Sequence, residues 1–290
     1  MIDDWTDCCD GSNPVTRRTF VLSLLATIVS ACAGPTLSGS GKRERELLDE
    51  AANLYRQAAV DLHSHPGPFA GAPIFPGASR ELTSALADMR LARLDAALFS
   101  LSSDRPVIRR DPSAGLTRQF REPEPGELFR FAQSHFDKVL SQMDGMIALS
   151  AADVVAFKRK GVPCAILAFE GADALDDDLS RVKLFYDRGI RVIQLVHYRI
   201  NAVGDIMTEP IKHGGLTPFG RDVVKEMNRT GMIIDVAHAH SETVRGALAE
   251  SRHPVLDSHT RPTVRIETRR ARSDDELRAV AKKGGVIGVW

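Results

Sequence analysis

Five short apolar runs in this chain end in a side chain able to bind a metal. The first closes on Asp61-Leu62-His63-Ser64-His65, the next on Phe169-Glu170-Gly171, then Val196-His197, Ala237-His238 and Ser258-His259. Imidazole nitrogens and a carboxylate form a ligand set that suits zinc, with manganese, cobalt or iron as alternatives. His63 and His65 stand at alternate positions, so on a strand both rings point to one side. Taken singly, each residue has an ordinary explanation. His197 alone reads as a polar residue at a rim, and Glu170 alone as a helix cap or an arginine partner. The repetition of one placement at five run ends decides for a metal site. The other histidines, His135, His213, His240 and His253, lack this context and read as surface or helix residues.

Residues so far apart in sequence meet only if the fold gathers the run ends. The apolar runs at 58–62, 95–101, 163–169, 191–196, 232–237, 254–257 and 285–290 are short and rich in Val, Ile, Leu or Ala, as buried parallel strands are. Between them, 80–93, 127–143, 151–160, 178–188, 217–229, 241–251 and 273–283 carry the mixed polar and apolar pattern of helices. Ser273 followed by Asp274, Asp275 and Glu276 is a helix start. Gly161, Gly189 and Gly231 sit where helices end. This alternation predicts an α/β fold with a parallel sheet, close to the eight strands of a TIM-like (β/α)8 barrel. In such a barrel all C-terminal strand ends share one face. An open doubly wound sheet is the runner-up, but no Gly-x-Gly-x-x-Gly turn follows the first strand.

Composition sets the remaining bounds. Hydrophobic residues at 43% and charged residues at 26% allow a sizeable core, and a net charge of zero gives no electrostatic reason to expect a nucleic-acid partner. Arg17 and Arg18 precede a short apolar stretch that ends in small residues, the pattern of a signal peptide of twin-arginine type. Val29-Ser30-Ala31-Cys32 resembles a bacterial lipobox, which makes Cys32 the acylation site. The expected layout is a signal segment at 1–32, a Gly- and Ser-rich tether at 33–43 and one catalytic body at 44–290. The expected location is that of an exported lipoprotein, membrane-anchored on the periplasmic or cell-surface side. Beyond Cys32 only Cys164 remains, so the body holds no internal disulfide.

Three segments, EGADALDDDLSRVKLFYDRGIRVIQLVHYRIN, GGLTPFGRDVVKEMNRTGMIIDVAHAHSETV and PVLDSHTRPTVRIETRRARSDDELRAVAKKGGVIGV, resemble the membrane dipeptidase (renal dipeptidase-like) family, with similarity from about Val60 onward that is weakest between Pro66 and Glu127. The resemblance implies a TIM-like barrel with two zinc ions that hydrolyses dipeptides through a hydroxide bridging the metals. By motif, His63 and His65 hold the first ion, Glu170 bridges both, and His238 and His259 hold the second. His197 faces the substrate or its developing oxyanion, and Arg270 binds the substrate's terminal carboxylate. A homodimer is the family's usual assembly, for which the sequence itself shows no interface.

The chain departs from the family pattern at two places. The family usually has aspartate where His65 stands, which removes a negative charge from the site and acidifies bound water. It also carries an aspartate after an eighth strand, whereas this sequence reaches Trp290 inside its seventh. The expectation is therefore a barrel lacking its last strand and helix, poorly active as it stands. Two competing functions follow: a metal-dependent amidohydrolase acting on a non-peptide amide or lactone, and an inactive, truncated metal-binding lipoprotein.

Overall fold

The computed structural model describes residues 58–66, 82–113, 115–143, 145–262 and 270–289. The signal segment, Cys32 and the tether lie outside these residues. None of the described helices is long and apolar enough to cross a membrane.

The strands are β1 (Val60–Ser64), β2 (Ala96–Ser102), β3 (Ile108–Asp111), β4 (Leu116–Gln119), β5 (Cys164–Glu170), β6 (Ile190–Gln194), β7 (Ile233–Asp235), β8 (Leu256–Pro262), β9 (Ala271–Arg272) and β10 (Val286–Val289). The helices are α1 (Leu82–Ala92), α2 (Glu127–Leu140), α3 (Ala151–Arg159), α4 (Ser180–Asp187), α5 (Pro218–Thr230), α6 (Ser241–Glu250) and α7 (Asp274–Lys282). All seven strands read from the apolar runs are present, and they pair in parallel in the order β1-β2-β5-β6-β7-β8-β10. Each strand lies beside the one before it, with no reversal of order. That is the winding of a barrel and not of a doubly wound sheet.

The sheet curls strongly. Five pairings separate β1 from β8, a span of about 24 Å in a flat sheet. Yet the His63 ring following β1's start and the His259 ring of β8 stack with centroids 3.7 Å apart. At the far end, a side chain on Gly288 of β10 would lie 3.3 Å from Leu62 and collide with the Ser258 carbonyl at 1.9 Å, so only glycine fits there.

Alternation along each strand then sorts the side chains. Phe99, Leu101, Leu167, Phe169 and Ile193 join the large core between the sheet and its helices. Leu98, Ala168, Val192 and Leu256 form a separate cluster with Val60, Leu62 and Ile166 inside the curl. This inner face changes character along the strand. On β2 it reads Ala96, Leu98, Ser100, Ser102, and on β5 Ile166, Ala168, Glu170. Apolar residues fill the N-terminal layers, and polar groups take over at the C-terminal mouth.

Local signals set the helix ends. The Ser273 hydroxyl accepts the Glu276 amide while the Glu276 side chain accepts the Ser273 amide, a complete capping box for α7. Gly231 ends α5 at φ +84°, a conformation L side chains rarely adopt. Two elements were not expected: the antiparallel pair β3–β4 between β2 and α2, and the short β9 beside β8. Ile108-Arg-Arg-Asp and Leu116-Thr-Arg-Gln contain no apolar run, so a search for buried strands passes over them.

Candidate metal centre

The mouth of the curled sheet brings together every ligand candidate named from the sequence. Glu170, the last residue of β5, is buried at 3% exposure. Its Oε2 lies 3.2 Å from His65 Nε2 and 3.2 Å from His197 Nε2, and accepts the Ser102 hydroxyl at 2.7 Å. Its Oε1 lies 3.4 Å from His63 Nε2, 3.5 Å from His238 Nε2 and 3.6 Å from His259 Nε2. Five imidazoles from four strand ends thus face one carboxylate. His63 and His65 approach with Nε2 atoms 3.0 Å apart, and His238 and His259 with theirs 2.9 Å apart. Proximity also marks two overlapping trios with ligand atoms within 4.8 Å, His63-Glu170-His259 and Glu170-His197-His238. The close imidazole pairs follow the division expected from sequence. The trios cut across it, so the ligands form one continuous cluster centred on Glu170.

The remote nitrogen of each ring tests whether this set fits a metal. His65 Nδ1 lies 2.7 Å from the Ser100 carbonyl, which can only accept, so Nδ1 carries the proton and Nε2 presents its lone pair inward. Asp104 Oδ1 lies 2.8 Å from His197 Nδ1 and fixes the orientation of that ring, whose Nε2 faces Glu170. His238 Nε2 receives the Arg270 guanidinium at 2.7 Å, which makes it the acceptor nitrogen of its ring; its buried Nδ1 has no hydrogen-bond partner among the described residues. His259 Nδ1 meets the Ser258 hydroxyl at 2.8 Å. Inward lone pairs packed around a carboxylate repel unless a proton or cation lies among them. Outer hydrogen bonds of this kind are what hold metal-binding histidines. The donor set therefore fits divalent cations.

The electrostatics favour neutral imidazoles at His238 and His259, whereas at His65 burial is outweighed by Glu170, which raises that ring above the ordinary histidine value. Burial pushes the Glu170 carboxyl up, but the imidazoles of His197, His65 and His63 outweigh it and hold it well below the usual carboxylate range. Burial also disfavours a charged His197, but Asp104 and Glu170 keep it well above the ordinary histidine value. Burial, then Arg270, holds His238 far below that value, and burial with His63 does the same for His259. A neutral imidazole is the form that binds metal.

Three supports of the site were not read from the sequence. Asp104, two residues beyond β2, accepts from His197 with one oxygen and from the Tyr198 amide with the other. The strand-end rule that found Glu170 points to it equally well. Asp235, at the end of β7, accepts the Ala237 and Ser258 amides at 3.0 and 3.1 Å, stapling the two strand ends that carry His238 and His259. Burial pushes this carboxyl up to about 7, against those hydrogen bonds. Arg272, 1% exposed, pairs with Asp257 at 2.9 Å and donates to the carbonyls of Val236 and Ala239 on either side of His238. His238 itself sits at φ +63°, so the turn that aims it is strained and needs this bracing.

Arg270 stands at the edge of the cluster, donating to the Tyr198 hydroxyl at 3.1 Å. The Tyr198 ring packs against the rings of His197 and His238, with centroids 4.3 and 4.9 Å away. His213 and His253 are exposed, His240 caps α6 and His135 lies half-buried on α2, all as expected.

Residues 132–290 match the family model described as membrane dipeptidase (peptidase family M19). The chain is 34% identical over 143 residues to dipeptidase tcpJ of Claviceps purpurea, covering 49% of this chain and 33% of that protein. It is 34% identical over 129 residues to dipeptidase 3 of Rattus norvegicus, covering 43% of this chain and 26% of the relative. The chain thus spans about a third or less of the curated relatives it matches. Among solved structures, an amidohydrolase from Pseudomonas aeruginosa superposes with a TM-score of 0.65 at 26% identity, covering 82% of this chain and 64% of that one. A metallopeptidase from Rhodobacter sphaeroides, liganded with a phosphinate mimic of L-Ala-D-Ala, shares the fold with a TM-score of 0.65 at 19% identity, covering 80% and 73%.

Proposed function

Since the chain belongs to the membrane dipeptidase family, we propose that it hydrolyses dipeptides at a centre of two zinc ions held by His63, His65, Glu170, His238 and His259. The observation that carries the reading is the convergence of five imidazoles on one buried carboxylate, with the outer hydrogen bond of His65 turning its Nε2 lone pair inward and Asp104 orienting His197. Glu170 turns Oε2 towards His65 and Oε1 towards His63, His238 and His259, so each of its oxygens has imidazoles with which it would share a cation. Cations bound there would polarise a scissile carbonyl and acidify water, the service such pairs supply in hydrolases.

The protein's own groups account for the rest. His197, kept protonated by Asp104, is positioned to donate a hydrogen bond to negative charge developing on the carbonyl oxygen. Arg270 is anchored by Tyr198 at the rim and can turn its fork to a free C-terminal carboxylate. The imidazole at position 65 leaves the site one negative charge poorer than an aspartate would, which favours the nitrogen-rich coordination of zinc. A non-peptide amide is the second reading, supported by the similarity to an amidohydrolase.

The deciding experiment assays zinc-reconstituted protein on a free dipeptide, its C-terminal amide and a simple aryl amide. Cleavage of the free dipeptide alone is expected. Cleavage of the aryl amide with no preference for a free carboxylate would move the assignment to the second reading. Export and acylation at Cys32 are proposed on the Arg17-Arg18 pair and the Val29–Cys32 pattern.

A further inference from the structure

Beside the metal-ligand cluster, on the far side of Tyr198, the β3–β4 hairpin and the segment after β6 enclose a cleft of about 890 Å³. Its described lining holds six cationic side chains and three carboxylates. Most of these charges are already committed. Arg118 grips Glu209 with two hydrogen bonds at 2.7 and 2.9 Å. Arg121 pairs with Glu127 outside the cleft, and Arg199 with the buried Asp173 behind it at 2.8 Å. Among the described residues the Glu122 carboxylate reaches only Arg199, at 3.4 Å, from a side chain that is 80% exposed. Asp111 accepts the Ser113 amide and hydroxyl of its own turn. What remains is Arg109, Arg110 and Lys212, for which no ion pair exists among the described residues.

The arrangement is costly as pure structure. Arg109 stands directly opposite Arg118 across the hairpin, and like charges in that position destabilise a strand pair. The Arg109 guanidinium is nevertheless held in place, 4.9 Å over the Phe120 ring. A concave surface with surplus positive charge concentrates anions, and an ordered guanidinium is a ready carboxylate partner. The cleft wall is also continuous with the site, because Tyr198 lines the one and packs on His197 and His238 of the other.

We propose that this cleft is a specificity subsite for an acidic side chain, with Arg109 and Lys212 as its recognition groups. The preferred substrate is then a dipeptide bearing a second carboxylate besides the terminal one addressed by Arg270. The inference rests on the dipeptidase reading for its substrate class, but its test does not depend on turnover.

The probes are reduced-amide dipeptide analogues, in which CH2–NH replaces the peptide bond so that nothing can be hydrolysed: Glu-Glu and Gln-Gln forms of equal shape. Each is titrated calorimetrically into the zinc-loaded protein at low ionic strength. The acidic analogue is expected to bind about tenfold more tightly, the scale of one partly screened charge-assisted contact. That advantage is expected to shrink below about threefold in the double variant Arg109→Gln, Lys212→Gln, and also in wild-type protein as salt is raised. Equal affinity for the two analogues, or an advantage that survives the double variant, overturns the subsite. The salt series on wild-type protein decides the matter even if the variant folds poorly. Absence of dipeptide hydrolysis would remove the parent reading and leave this binding result standing.

Discussion

Asp235 is a carboxylate placed where a charge is expensive. It is buried at the junction of β7 and β8, and its Oδ1 takes two backbone amides, from Ala237 and Ser258. Burial lifts its pKa from 3.8 to about 7. Between those values the folded chain keeps a proton that the unfolded chain has released, so stability falls as pH rises through this window. The shift is about three units, each about 1.4 kcal/mol, which gives about 4 kcal/mol lost by pH 8 relative to pH 4. Asp235→Asn removes the charge and keeps the shape. The amide oxygen still accepts both backbone N–H groups, and the new amino group lies where it can donate to the Ser258 hydroxyl.

The variant is therefore expected to be more stable than wild type at pH 8, by up to about 4 kcal/mol, and no more stable near pH 4. For a body of this size each kcal/mol moves the midpoint by about 2–4 °C, so the gain at pH 8 is about 8–16 °C. The assay is thermal or urea unfolding of the metal-free protein, wild type and variant side by side, from pH 4 to pH 8. A gain of equal size at both ends, or none at pH 8, refutes the argument that a buried ionised Asp235 is the cause. Loading with zinc should reduce the gain, because nearby cations favour the ionised carboxylate.

Three further expectations follow from the site. In Asp104→Asn one oxygen is lost, so either the Tyr198 amide or His197 Nδ1–H loses its acceptor; kcat should fall about 10–100-fold with a smaller change in KM, and steady-state kinetics separates this from a loss of substrate binding. Arg270→Ala should raise KM for free dipeptides about tenfold or more while leaving a C-terminal amide nearly unaffected; an equal loss on both would assign Arg270 to bracing His238 and Tyr198 instead. Cys32→Ala should shift the protein from the membrane to the soluble fraction, and an unchanged membrane fraction with unchanged mature mass would rule out acylation there.

The barrel strands and most helices were legible because each lies in a segment whose periodicity matches its environment. Runs such as Ala165 to Phe169 are buried on both faces and read as continuous apolar strands. The ligands were legible for a related reason. In a parallel sheet, position along the strand fixes which mouth a residue faces, so His and Glu at run ends announce a shared site. The β3–β4 hairpin was not legible. Its residues are mostly polar and at least partly exposed, and the ion partner of its Arg118 is Glu209, about ninety residues away. Arg272 was hidden for the same cause. Flanked by Ser273 and acidic residues it reads as surface, and only Asp257 with two carbonyls near His238 makes its burial tolerable. Tertiary partners decided both cases, and no local pattern encodes them. His238 in the left-handed region is a further example, since its conformation answers to the bracing around it rather than to its own preference.

In the proposed two-cation site, Glu170 is the group that joins the histidines into one centre. Metal content per chain is the decisive measurement. The purified protein is reconstituted with zinc, dialysed to remove loose ion, and analysed by mass spectrometry of the elements beside Glu170→Gln treated identically. Wild type is expected to retain about two zinc ions per chain. The variant, nearly isosteric but without the shared negative charge, is expected to retain about one or fewer. A wild-type protein that keeps no zinc, or a Glu170→Gln protein that keeps as much as wild type, contradicts the claim.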